Sequence, residues 1–212
     1  MLAQAPLPRS PDSNVVPLRA SDDAIVQGLL GGEPWAANAL YERYAPAIER
    51  ILRRTLGNER HTELADLLHD VFVEAIRSAP KLRDTVALLA WLQKIAVHTA
   101  YRTMRRRRAR SWLWFSQPED LPEIVHDDPA PEVRQACAAF YRCLGHLPAR
   151  QELLFSLRYV EGMEVAQIAL VTGTSLSTVK RQLALAEARF TKLAERDPAL
   201  ASYLAEGTRW TR

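Results

Sequence analysis

The 212-residue chain is 48% hydrophobic and 25% charged with a formal charge of +3, the composition of a globular protein with one large or two small domains rather than a disordered tail. Its 28 lysines and arginines nearly balance 25 acidic residues, so the local clustering of charge is more informative than the total. Cys137 and Cys143, six apart, match no common zinc spacing and build no disulfide framework; a reducing cytoplasm is the compartment that fits.

Residues 1–20 hold four prolines and few groups worth burying, which predicts a disordered leader. They lack the basic start and apolar core of a secretion signal. The longest unbroken apolar run, Val86 to Leu92, is far below the roughly 20 residues of a membrane span, so no membrane insertion is expected.

Helical periodicity begins at residue 21. Ser21 or Asp22 can cap a first helix that carries Ile25 and Leu29, and "GGEP" breaks it. A second helix is predicted from about Pro34 to Leu56, ended by "GN", and a third from about Thr62 to Ala79, closed by Pro80. On the third, Leu64, Leu68, Val71, Phe72 and Ala75 share one face, while Asp66, Asp70, Glu74 and Arg77 share the other with Val73. By itself that acidic face reads as a solvated surface.

A fourth helix from about Thr85 turns Leu88, Leu92, Ile95 and Thr99 inward and runs into "TAYRTMRRRRARSWLWF", in which six of the nine residues from Arg102 to Arg110 are arginine. Lys94, His98, Tyr101, Arg102 and Arg105 fall on an adjoining stripe. Cations mixed with flat rings suit backbone phosphates and stacking on an unpaired base. Arginines from Arg105 to Arg108 point all round the helix, as a segment following a polyanion would require. Trp112, Trp114 and Phe115 beside them leave an anionic lipid surface as a rival partner.

"SQPEDLPEIVHDDPAP", with four prolines and five acidic residues, is an extended linker by composition. Beyond it Val133, Cys137, Phe140 and Leu144 follow helical spacing, and a further helix is predicted from about Ala149 to Val160. "VAQIALV" and "LSTVKRQLALAEARFTKLAE", joined by "TGTS", then form a helix-turn-helix. Ile168 and Ala169 pack inward, Gly173 relieves the turn, and Leu176, Val179, Leu183, Ala186 and Phe190 make one apolar stripe. The opposite face presents Ser177, Thr178, Lys180, Arg181 and Gln182 near the helix start, where major-groove readers touch DNA.

The expected architecture is therefore all-α: a leader (1–20), a four-helix domain (21–110), a linker (111–131), a helix-turn-helix domain (132–196) and a C-terminal tail (197–212). No catalytic residue, metal ligand or cofactor is expected. The five histidines are scattered, and no phosphate loop or nucleophile with a base is present in the sequence.

"DLLHDVFVEAI" with "LLAWLQKIAVHTAYRTMRRRRAR" resembles the promoter-binding domain of bacterial sigma factors of the extracytoplasmic-function group, and "LPARQELLFSLRYVEGMEVAQIALVTGTSLSTVKRQLALAEARF" resembles that group's second domain. The resemblance implies a cytoplasmic protein that binds core RNA polymerase, recognises promoter DNA and helps to open it, with an anti-sigma factor as a further partner that such proteins can have. It implies polymerase contacts at Asp66, His69, Asp70 and Glu74, and downstream-element contacts at Lys94, His98, Tyr101, Arg102 and Arg105, with Arg106 and Arg107 guiding the adjoining backbone. Upstream-element contacts are implied at Ser177, Thr178, Lys180, Arg181 and Gln182. The sequence departs from the group's usual residues at His69, Val97 and His98, and offers Ala184 and Leu185 where an arginine is common, which implies a weaker upstream grip or a different element. A self-sufficient helix-turn-helix repressor is the alternative; it leaves the acidic face and the basic helix without a task.

Overall fold

The structure, a computed structural model, describes residues 20–57, 61–82, 88–113 and 131–205. Residues 1–19 of the expected leader, most of the linker with Trp114 and Phe115, and residues 83–87 of the loop before Trp91 lie outside them, whereas Ala20 is buried in the core. Among the described residues there are nine α-helices and no strand, as the all-α expectation required.

Helix α1 (Asp22–Leu30) starts where the Ser21 hydroxyl accepts from the Ala24 N–H at 3.2 Å, satisfying a donor that the first turn cannot pair. Asp22 is thereby free to reach α2 (Pro34–Leu56), where it accepts from Arg43 at 2.6 Å and from the Tyr44 hydroxyl at 2.7 Å. Burial and then this carboxylate push the Tyr44 hydroxyl up to about 12. Proline at the first position of α2 costs no hydrogen bond there. Helix α3 (His61–Ser78) runs into a single 3-10 turn, Ala79–Lys81, that contains Pro80. Helix α4 (Leu88–Leu113) has 26 residues, about 39 Å at ~1.5 Å per residue. Its buried face is Leu88, Leu92, Ala96, Val97, Ala100 and Met104, with Ile95 only half-buried.

The C-terminal half is α5 (Pro131–Gly145), α6 (Ala149–Phe155) with a π-helical turn (Ser156–Val160), α7 (Val165–Thr172), α8 (Leu176–Ala194) and α9 (Pro198–Ala205). The predicted helix from Ala149 to Val160 is thus one α segment continued by a wider turn. Ser175 caps α8 by accepting from the Thr178 N–H at 3.3 Å, and Gly173 ends α7 at φ 62°, left-handed backbone that a β-carbon resists.

Two predicted inward residues face out: Val133 and Leu176 are each 44% exposed. The buried side of α5 is Ala138, Ala139, Cys143 and Leu144, set by its packing on α6, α8 and α9. Helix α9 lies in the stretch expected to be a tail and is held on α5 by Leu200 and by an Arg142–Asp197 ion pair at 3.2 Å.

There are two apolar cores. The smaller joins Ala139, Cys143, Leu144, Leu147, Phe155, Ala186, Phe190, Ala194 and Leu200 within the C-terminal half, with the Phe155 and Phe190 rings 4.8 Å apart. The larger is shared: residues of α1–α4 are continuous with Leu153, Leu154, Leu157, Met163, Ile168, Val171, Val179 and Leu183. Helix α4 packs directly on α6 and α7.

Candidate nucleic-acid interface

The basic stripe on α4 is where the sequence placed it. Lys94, His98, Arg102, Arg105 and Arg106 are exposed and Tyr101 is half-buried. The Arg105 guanidinium carbon sits 5.9 Å from the Tyr101 ring centroid, a cation over an aromatic face. Arg102 is steadied by its donation to the Thr99 hydroxyl at 3.4 Å. His98 is held below the ordinary histidine value, first by burial and then by the charges of Lys94 and Arg102. It is therefore a neutral ring beside cations at pH 7.

Arg107 and Arg108 do not radiate freely. Arg107 pairs with Glu63 of α3 at 3.3 Å, and Arg108 with Glu152 of α6 at 2.5 Å. The sequence alone pointed these side chains outward all round the helix; α3 and α6 each supply a carboxylate that no local pattern reveals.

On α3, Asp66, His69 and Asp70 are exposed, and Glu74 is half-exposed with Arg77 at 3.8 Å. Val73 and Ile76, 39% and 41% exposed, lie among them. The Tyr41 ring of α2, 4.9 Å from Phe72, extends the patch. The exposed face of α3 thus sets aliphatic groups among acids instead of being uniformly charged.

On α8, Lys180 and Arg181 are exposed, as is Ser177. The Ser177 and Thr178 hydroxyls join the Ser175 cap, 3.2 and 2.8 Å from its hydroxyl. Gln182 accepts from the Gln151 amide at 3.1 Å, and Gln151 in turn accepts from Arg189 at 2.8 Å. Gln182 is thus anchored to α6, which leaves Lys180 and Arg181 as the two unencumbered cations of the predicted set.

Arg150, missed by the sequence reading, starts α6 and donates to the Thr174 hydroxyl in the helix-turn-helix turn at 2.6 Å. With Leu153, Leu154 and Thr172 it faces Val97, His98 and Tyr101 across a cleft of about 110 Å³. Only the packing of α6 on α4 could have disclosed it.

Among the described residues no helix is long and apolar enough to cross a membrane. Comparison with known proteins gives two family matches in chain order: Sigma-70 region 2 over residues 40–110, and Sigma-70, region 4 over residues 137–190. The chain is 27% identical over 173 residues to the ECF RNA polymerase sigma factor SigM of Mycobacterium tuberculosis, covering 82% of this chain and 84% of that one. It is 25% identical over 172 residues to the ECF RNA polymerase sigma-E factor of Haemophilus influenzae, covering 77% and 89%. In fold it is similar to CnrH, solved in complex with the cytosolic domain of CnrY (TM-score 0.56, 21% identity, 84% of this chain and 99% of that one). It is also similar to the sigma factor RpoE of Bartonella quintana, solved with the anti-sigma factor NepR (TM-score 0.54, 21% identity, 74% and 95%).

Proposed function

The chain belongs to the sigma-70 family, in its extracytoplasmic-function group, and from that premise we propose which of its surfaces does each part of the work. It binds core RNA polymerase, recognises promoter DNA and initiates transcription. The observation that carries this is the pair of family matches in order over residues 40–110 and 137–190, which together span more than half of the chain. A stand-alone repressor accounts for the second match only.

The acidic and aliphatic face of α3, with Asp66, His69, Asp70 and Glu74 around Val73 and Ile76, docks on the polymerase. The exposed α4 stripe takes the downstream element: Lys94, Arg102, Arg105 and Arg106 neutralise phosphates, while Tyr101 and the neutral His98 offer flat surfaces to an extruded base. Arg107 contributes less, since Glu63 already pairs it. Lys180 and Arg181 on α8 read the upstream element, and Ser177 and Thr178 add hydroxyls beside the backbone. Residues 21–110 and 132–196 are the two working units. The groups on these surfaces are cations, rings and hydroxyls, fitted to bind and position DNA; phosphodiester chemistry belongs to the polymerase. An antagonist protein of the kind that holds RpoE is a further partner, and the cytoplasm is where all these partners meet.

The test is reconstitution. Purified chain added to core polymerase is expected to co-elute with it and to direct transcription from a subset of genomic promoters. Tight footprinting of a promoter by the chain alone, with no retention of core polymerase, would return the repressor reading.

A further inference from the structure

The exposed face of α8 changes character along its length. Val179, Leu183, Ala186 and Phe190, between 0% and 5% exposed, hold the helix on its domain. Ser177, Arg181 and Leu185, each four residues on from the last, share the opposite side. Through the next two turns after Arg181 the polar side chains are drawn back into the domain. Gln182 accepts from Gln151, Arg189 donates to the same Gln151 at 2.8 Å, and Glu187 accepts from the Tyr159 hydroxyl. From residue 182 to residue 188 the exposed positions are Ala184, Leu185 and Ala188, with Leu185 44% exposed. Such an uncharged stretch cannot neutralise phosphates, yet it continues the line of Arg181.

We propose that Leu185 reads the upstream element by seating on the C5-methyl group of a thymine, so that α8 selects one T·A pair by apolar contact beside the contact made by Arg181. The inference rests on the function proposed above, in which α8 reads duplex DNA, and it names the base that the middle of that helix requires.

The chemistry of the major groove narrows the choice to thymine. Among the groups that base pairs present there, the thymine methyl is the apolar one; the rest are donors and acceptors. A leucine pressed on adenine, guanine or cytosine strips water from polar groups and offers no hydrogen bond in return, which is unfavourable. On thymine it meets a group that gains by leaving water. Leu185 stands about 6 Å along the helix from Arg181 at ~1.5 Å per residue, close to two duplex steps of ~3.4 Å, so the thymine lies within about two base pairs of the pair that Arg181 contacts. Ala184 and Ala188 flank Leu185 with short side chains and let this turn of α8 approach the base edges closely.

The test removes the methyl group alone. Holoenzyme reconstituted from the full chain and core polymerase first selects its upstream elements from duplexes randomised in that region. On one selected promoter each thymine of the element is then replaced singly by 2′-deoxyuridine, which keeps every hydrogen-bonding group. Competition binding compares wild type, Leu185→Ala, Leu185→Met and Leu185→Gln, with circular dichroism as the check on helicity. Wild type is expected to lose about fourfold in affinity at one thymine, the worth of one buried methyl group. Leu185→Met, which keeps an apolar side chain of similar size, should retain that sensitivity. Leu185→Ala and Leu185→Gln should bind more weakly and be indifferent to the exchange of thymine for uracil. Should Leu185→Ala fail to fold, Leu185→Gln, with similar reach and a polar end, decides.

An upstream element in which uracil nowhere lowers wild-type affinity, or lowers it equally in wild type and Leu185→Ala, overturns the inference and leaves the sigma reading standing. A fall in transcription by Leu185→Ala with the thymine preference intact overturns it too and makes Leu185 a contact for protein. Failure of the chain to associate with core polymerase, or to protect upstream DNA in any selected duplex, overturns the function proposed above and this inference with it.

Discussion

Arg105 lies over the ring of Tyr101 one helical turn before it, with the guanidinium carbon 5.9 Å from the ring centroid. One ring thus seats an exposed cation on α4 and lies beside the cleft, so the two roles proposed for the stripe are separable by substitution. Tyr101→Ala is expected to weaken capture of the melted strand by about 1–3 kcal/mol and to slow promoter opening with little change in closed duplex binding. Tyr101→Phe, which keeps the ring, should behave as wild type. Permanganate footprinting of the melted region alongside closed-complex binding measures both steps.

Neighbouring arginines should not be equivalent. Arg106 is exposed with no resolved carboxylate against it, whereas Arg107 is paired with Glu63. Arg106→Ala is expected to reduce the slope of log affinity against log salt by about one unit. Arg107→Ala should change it by clearly less, because part of its charge is already compensated. Equal slopes for the two variants would show that Glu63 releases Arg107 in the complex.

For the α3 face, Asp66→Lys/Asp70→Lys is expected to abolish holoenzyme assembly. Both side chains are exposed, so the cost to folding should stay within about 0.5 kcal/mol per substitution. Gel filtration with core polymerase and a thermal melt of the free chain decide it together; normal assembly by the double variant would leave the face merely solvated.

On α8, Arg181→Ala should cost about 1–3 kcal/mol of discrimination between upstream sequences if it makes a bidentate base contact. A uniform loss across sequences would mark a phosphate contact instead. Gln182→Ala should act differently, lowering the melting temperature because it strips the partner from Gln151, which is 5% exposed.

His98 sets a pH dependence. Its folded pKa lies below the ordinary value of about 6.5, so between the two values the unfolded chain binds more protons than the folded one. Stability then rises with pH through that window: it is complete above about 6.5 and falls as pH drops toward the folded pKa. His98→Gln should flatten this slope in melts across that range, and a titration of the His98 ring protons by NMR should give the lowered midpoint directly.

The helices were legible because local rules agree with the fold. The start of α2 on Pro34, its end at Gly57, the Ser175 cap and the left-handed Gly173 are short-range devices, and each acts where its residue type stands. The exposed stripe of Lys94, His98, Tyr101 and Arg102 was likewise written in the period of one helix. Harder to see was anything settled by a distant partner. Val133 and Leu176 fit an apolar period yet face out, each 44% exposed. Arg107 and Arg108 look free in sequence and are held by Glu63 and Glu152, 44 residues away in each case. Arg150 joins the candidate site only through the seating of α6 on α4.

Cys137 and Cys143 share α5, and their spacing has a meaning for oxidation. Six residues along a helix are a rise of about 9 Å, beyond the roughly 7 Å that a disulfide tolerates between α-carbons without moving the backbone. Cys143 is 4% exposed, and burial raises its thiol above the ordinary value, which starves it of the thiolate that peroxide attacks. While α5 keeps its helix its own two sulfurs cannot be joined, so oxidation does not rewrite this helix through a bond between them.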